Sequence, residues 1–247
     1  MPPSSTDSAN RILRTPGLEG EPGLVHGFST LALGSMRGPA PPGDPLTPER
    51  RAFAAELGLD PARLTVAGAV HGAGVARVDE PVPAVRGVDA LVTDREGIPL
   101  LATFADCYPV LLHDPVRRAL ALAHAGWRGT AAGVAAAAVE ALRREYGCRP
   151  ADLVAGVGPG ICGCCYQVGE EVAASFDARF HRPSPGAAGP GRVLLDLAAA
   201  NRDQLEAAGL LPDRIHLNGA CTRESAALPS HRRSPDGIRF ACIAAIR

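Results

Sequence analysis

The chain has 247 residues, 46% of them apolar and only 4% aromatic, so one large domain is expected, its core built mainly from Ala, Val, Leu and Ile. A formal charge of −1 supplies no long-range field, which argues against nucleic acid or an acidic membrane as the main partner. Seven cysteines is an odd number, and the Pro/Ser-rich start lacks the basic and apolar stretches of a secretory signal; together these predict a cytoplasmic protein with free thiols rather than a disulfide framework.

Residues 1–20 read as a mobile lead-in and residues 21–247 as a single catalytic domain. Residues 37–45 (RGPAPPGDP) form a loop, because proline has no amide hydrogen to give to a helix or a central strand. Thr47 and Pro48 open a helix as N-cap and first residue, and Gly58 ends it. Five apolar runs then follow at close spacing, 64–70, 88–93, 98–104, 108–113 and 119–123, and each predicts a strand. Residues 131–146 give the strongest helix, with Thr130 as N-cap and Gly147 as stop. The apolar stretch 134–139 inside it is far too short to span a bilayer. Strands are expected at 153–157, 214–218 and 238–246, helices at 172–180 and 197–208, and a Pro/Gly loop at 182–191. No internal repeat or long linker interrupts the pattern. The class is therefore α/β or α+β with a large sheet.

Three residues share one feature. His71 follows the strand 64–70 and precedes Gly72; Cys107 follows 98–104 and lies two residues before Pro109; His124 follows 119–123 and lies two residues before Gly126. Each is a potential metal ligand at the exit of an apolar strand, and strand ends of one sheet meet at one edge, where sites on α/β scaffolds form. One thiolate with two imidazoles suits Zn²⁺, and three protein ligands leave a fourth position open, as in catalytic sites. Such a zinc lowers the pKa of its water to roughly 7 and polarises a leaving group. The plainer alternative is a pair of hydrogen-bonded structural histidines and a cysteine packed as a small hydrophobe.

Asp106 orients a ligand or caps a turn, and Asp89 is a polar contact in the site or a strand-edge carboxylate. Arg128 precedes the helix expected from residue 131; free amides at a helix start beside an arginine make an anion site, whereas an ordinary arginine is solvated or paired with a carboxylate. The glycine-rich turn 156–163 lacks the P-loop lysine and the spacing of a dinucleotide fingerprint. The C-x-C-C spacing of Cys162, Cys164 and Cys165 is not a usual zinc-knuckle pattern, and these three read as turn and core residues open to oxidation, like Cys148, Cys221 and Cys242.

The segments AVHG (69–72), GVDALVT, ADCYPV (105–110), AHAGWRG (123–129) and GVGPGICGCCYQVGEEV, with CTRES and SHRR near the C-terminus, resemble in order the motifs of the YfiH-like "laccase domain" family. The resemblance implies a layered α/β sandwich and a zinc held by His71, Cys107 and His124. It implies phosphorolysis of adenosine, inosine and guanosine to base and ribose 1-phosphate, phosphorolysis of S-methyl-5'-thioadenosine, and deamination of adenosine. Arg128, Asp89 and Asp106 are then candidate contacts to substrate or phosphate. The chain departs from the pattern where Leu31 stands in place of an arginine, Ala69 in place of a glutamine and Gln167 in place of a glutamate.

Three other functions compete. A copper polyphenol oxidase needs more histidine than the seven present, and paired His-x-His motifs are absent. A cysteine hydrolase would use Cys107 and His124 with Asp89 or Asp106 as orienter, and could edit cell-wall peptide precursors. A non-catalytic division-associated partner would be marked by a damaged site, yet all three ligand residues are intact.

Overall fold

A computed structural model describes residues 11–39, 43–184 and 191–247. Its elements in chain order begin with β1 Ile12–Leu13, β2 Leu24–Ser29, α1 Pro48–Glu56, β3 Thr65–Gly68, β4 Val75–Arg77, β5 Ala84–Arg86, β6 Ala90–Thr93 and β7 Leu100–Phe104. Next come β8 Tyr108–Asp114, β9 Ala119–Ala125, α2 Trp127–Ala131, α3 Val134–Tyr146, β10 Val154–Val157, β11 Gln167–Gly169 and α4 Glu170–Ala173. The last are β12 His181–Pro183, β13 Arg192–Leu195, α5 Leu197–Ala207, β14 Ile215–Leu217 and β15 Phe240–Ile246.

Two mixed six-stranded sheets carry the fold, ordered β1-β2-β15-β7-β3-β5 and β14-β10-β8-β9-β6-β4, with a three-stranded β11-β13-β12 sheet beside them. The two large sheets pack face to face and helices cover their outer faces. Alternation along single strands dictates this. In β9 the alanines 119, 121, 123 and 125 pack with α3 and α5, while Leu120 and Leu122 point at the other sheet and meet Leu100, Phe104, Cys242 and Ile246. In β7 and β15 the opposite parity, Leu101, Ala241, Ile243 and Ala245, packs on Phe53, Ala54 and Leu57 of α1. Because both faces of β9 and β15 are buried, their sequences are almost continuously apolar. The small alanines on the helix side let α3 lie close, which is how a core poor in aromatics fills its space.

Several expectations are corrected. The lead-in does not reach residue 20: Ile12 and Leu13 pair with Ser29 and Phe28, and Thr15 and Leu18 are buried. Residues 1–10 lie outside the described ones, as do 40–42 of the 37–45 loop and 185–190 of the 182–191 loop. The loop expected at 182–191 is flanked by strands on both sides, since His181–Pro183 and Arg192–Leu195 pair. Residues 172–180 are not one helix: α4 ends at Ala173 and a 3-10 turn holds Ala178–Phe180. The helix from 131 starts at Val134 instead, because Gly133 takes the left-handed φ of +79° and breaks the run. Thr130 is no N-cap; it lies buried inside α2, sharing a hydrogen bond with Asn201. The cysteines are not all free: Cys162 and Cys164 form a disulfide, because the 162–165 turn brings their sulfurs together.

Candidate active site

His71, Cys107 and His124 come together, with one ligand atom from each lying within 4.8 Å of the others. Their meeting place is not the edge of one sheet. His71 lies on the 69–74 connection that passes from β3 in the first sheet to β4 in the second. Cys107 lies on the β7–β8 turn, which makes the same crossing. His124 is the next to last residue of β9, so it sits within the strand and not at its exit. It shares the parity of Leu120 and Leu122 and points into the space between the sheets, 5.2 Å centroid to centroid from Phe104 and 4.9 Å from His71.

Strand register explains the rest. Ala90 opposes Ala123, so Asp89 falls beside His124, and the His124 amide donates to the Asp89 carbonyl at 2.7 Å. Tyr108 opposes Ala125, so Cys107 falls beside Gly126. A Cβ at Gly126 would stand 2.7 Å from Cys107 Sγ and 3.3 Å from the His71 ring, so only glycine leaves room for this cluster.

The Asp89 carboxylate is fully buried and does not line the cleft. It accepts from the amides of His71 (2.8 Å) and Gly72 (2.7 Å) and faces His124 Nδ1 at 3.3 Å. Asp89 is therefore a positioning residue. It fixes the loop that carries His71 and turns Nε2 of His124 toward Cys107, the usual carboxylate–histidine arrangement behind a metal ligand. Asp106 lines the cleft, yet both its oxygens are taken, by Thr222 Oγ1 at 2.6 Å and the Arg232 amide at 2.7 Å. It ties the C-terminal loop to the site. His71 and Asp106 are two of the three described non-glycine residues with positive φ (64° and 83°), a strained backbone concentrated at the site.

The electrostatics are those of an ion pair. Burial pushes the Cys107 thiol up, but hydrogen bonds and charge from His124 and His71 outweigh it and bring it down to about 6. Burial pulls His124 down, and Asp89 and Cys107 more than reverse this, raising it to about 9. Each group thus draws the other toward its charged form, thiolate beside imidazolium.

The three residues open onto a cleft of about 860 Å³. Phe104, Trp127 and Tyr166 line it with the arginines 50, 86, 128, 232 and 239, and Asp106 is its one described carboxylate. The Arg128 guanidinium lies 4.3 Å over the Trp127 ring and that of Arg232 4.8 Å over Tyr166. Arg128 belongs to the first turn of the five-residue α2, so the expected row of free amides ahead of a long helix is absent; its own charge is what it brings to the cleft. Among the described residues neither Arg86 nor Arg128 pairs with a carboxylate, whereas Arg50 is spent on the carbonyls of Met36 and Pro45. Leu31 does not line the cleft. Sequence reasoning missed Arg86, Arg232, Arg239, Trp127 and Tyr166; the signal was a run of motifs whose aromatic and basic members were not asked to share a wall.

The donor set fits a metal of intermediate softness: one sulfur and two imidazole nitrogens, a glycine-sized clearance beside them and a buried carboxylate behind one ligand. Among the described residues no helix is long and apolar enough to cross a membrane.

Comparison with known proteins agrees with this architecture. The chain is 44% identical to a purine nucleoside phosphorylase of Streptomyces coelicolor over 219 residues, 87% of each chain. It is 37% identical to the adenosine deaminase RL5 of an unknown prokaryotic organism, over 70% of this chain and 71% of that one. The crystal structure of YlmD from Geobacillus stearothermophilus superposes with a TM-score of 0.81 at 32% identity, covering 97% of both chains. The family model described as multi-copper polyphenol oxidoreductase laccase matches residues 28–246, and the chain belongs to that family.

Proposed function

We propose that this protein is a zinc-dependent purine nucleoside phosphorylase that also deaminates adenosine, with adenosine, inosine, guanosine and S-methyl-5'-thioadenosine as its substrate class. One observation carries the reading: His71, Cys107 and His124 converge at a cleft whose walls offer aromatic rings and unpaired arginines together. The volume is that of a small-molecule site. Trp127 and Tyr166, each stacked by an arginine, supply aromatic and cationic wall for a purine. Arg128 and Arg86 supply permanent charge for a phosphate dianion, and this chain has no lysine to share the task. His71, Cys107 and His124 would hold the zinc, which when bound supplies Lewis acidity and an acidified water. Asp89 keeps His124 in the tautomer with Nε2 facing inward. In phosphorolysis a phosphate oxygen attacks the anomeric carbon as the bond to the purine nitrogen breaks, giving free base and ribose 1-phosphate. Names of relatives that pair phosphorylase with deaminase support placing both reactions here.

A second reading is favoured by the Asp89–His124–Cys107 alignment, which is also that of a cysteine nucleophile with its base and orienter. The two readings part on one assay. Inosine with phosphate should yield hypoxanthine and ribose 1-phosphate only in metal-loaded protein; turnover that survives chelation and is abolished by alkylation of Cys107 would show the cysteine hydrolase.

A further inference from the structure

We propose that Cys162, Cys164, Cys165 and Glu224 form a second cation site, for a thiophilic ion such as Zn²⁺, which opens when the Cys162–Cys164 disulfide is reduced. Three sulfurs and one carboxylate oxygen lie within 4.8 Å of one another there, separate from the His71 cluster. The fourth ligand is invisible in the local C-x-C-C spacing because it comes from 59 residues further along the chain than Cys165. Glu224 Oε1 already sits 3.5 Å from Cys165 Sγ and 3.9 Å from Cys164 Sγ.

Backbone bonds hold the two ligand-bearing turns together. Gly160 donates to the Ala220 carbonyl at 3.2 Å, Thr222 to that of Gly160 at 3.0 Å, and the Cys162 amide to the buried Cys221 sulfur at 3.3 Å. The two turns that carry the ligands are thus held side by side before any ion arrives, and reduction frees the Cys162 and Cys164 sulfurs to move apart around it. Cys164 and Glu224 are exposed, so an ion reaches them from solvent. Glu224 and Cys221 also line a surface depression of about 400 Å³.

The disulfide itself does little for stability. Its partners are two residues apart, and closing so small a loop removes little freedom from the unfolded chain. That leaves a reactive role as its better explanation. A low-molecular-weight thiol supplies the electrons: its thiolate attacks one sulfur, the S–S bond breaks to a mixed disulfide, and a second thiol releases it. Two small thiols become one small disulfide, and Cys162 and Cys164 each end as thiols. The ion then displaces the protons of three thiols, giving an S₃O set that zinc accepts.

The test is zinc content of the full chain after equilibration with Zn²⁺ and dialysis, with and without a phosphine reductant. Reduced protein should carry about one zinc more per chain than oxidised protein, a gain lost in Cys164→Ser and in Glu224→Gln. In the reduced protein zinc should shield Cys164 and Cys165 from alkylation, mapped by mass spectrometry. Thermal unfolding without zinc checks that both variants fold like the parent. Equal zinc in the two redox states would overturn the proposal, and so would a gain that survives in both folded variants. The readout is a difference at a site apart from His71, so it stands or falls independently of the phosphorylase reading.

Discussion

The neighbours of Arg128 leave its charge facing the cleft. Its guanidinium is stacked on Trp127, lines the cleft and lacks a described carboxylate partner, so its charge is fully available to a ligand. A phosphate dianion approaching the Cys107 thiolate needs such neutralisation, whereas deamination brings in only water. Arg128→Ala should slow phosphorolysis by on the order of 10²–10³-fold and raise the phosphate requirement, the usual loss for one electrostatic contact. Deamination of adenosine, measured on the same preparation, should fall much less. Equal losses would mean that Arg128 only holds Trp127 and the cleft wall in place.

At the scale of elements, the site exists because two loops cross between sheets beside the end of β9. Gly126, which caps α2, is the clearance this meeting requires. Gly126→Ala would put a methyl against Cys107 Sγ and the His71 ring. It should lower bound metal sharply while unfolding free energy changes by about 1–2 kcal/mol. Metal analysis beside urea unfolding checks this, and unchanged metal would show that the loops yield. The cluster of His71, Cys107 and His124 was legible in the sequence as three candidate ligands because His and Cys stand out against apolar runs and glycine turns. Their true setting was not. His124 is flanked by Ala123 and Ala125, so nothing local says that the strand continues through it. The alanine run around Gly133 likewise reads as one helix, since a single left-handed glycine is a weak signal beside strong helix formers. β1 and β4 have too few residues to show a period at all, and pairing with longer strands makes them. The partnership of Asp89 with His124 is a matter of register, which no local pattern encodes.

For the whole molecule, the N-terminal segment acts as a strap across both sheets. Ile12 and Leu13 extend the first sheet, Leu18 joins the core between the sheets, and the Thr15 amide donates to buried His26 Nε2 at 3.0 Å. Burial, with the charge of Arg14, holds His26 down to about 4 from an ordinary 6.5. The unfolded chain therefore takes up a proton as pH falls below about 6.5, and the folded chain does not until about 4. Stability should fall across that window by roughly 3 kcal/mol at most, and be fully present above it. In His26→Gln, which keeps an acceptor for Thr15 and cannot titrate, urea unfolding at about pH 7 and pH 4.5 should differ less than in the parent. An identical pH slope in both would assign the loss to other groups.

Metal reconstitution tests most directly whether a zinc held by His71, Cys107 and His124 drives nucleoside chemistry. Protein stripped with a chelator should lose phosphate-dependent inosine cleavage and regain it with Zn²⁺ but not with Cu²⁺. His71→Ala, Cys107→Ala and His124→Ala should each lower zinc content and abolish turnover. Full turnover by the stripped protein, or full zinc retention in all three variants, would contradict the account.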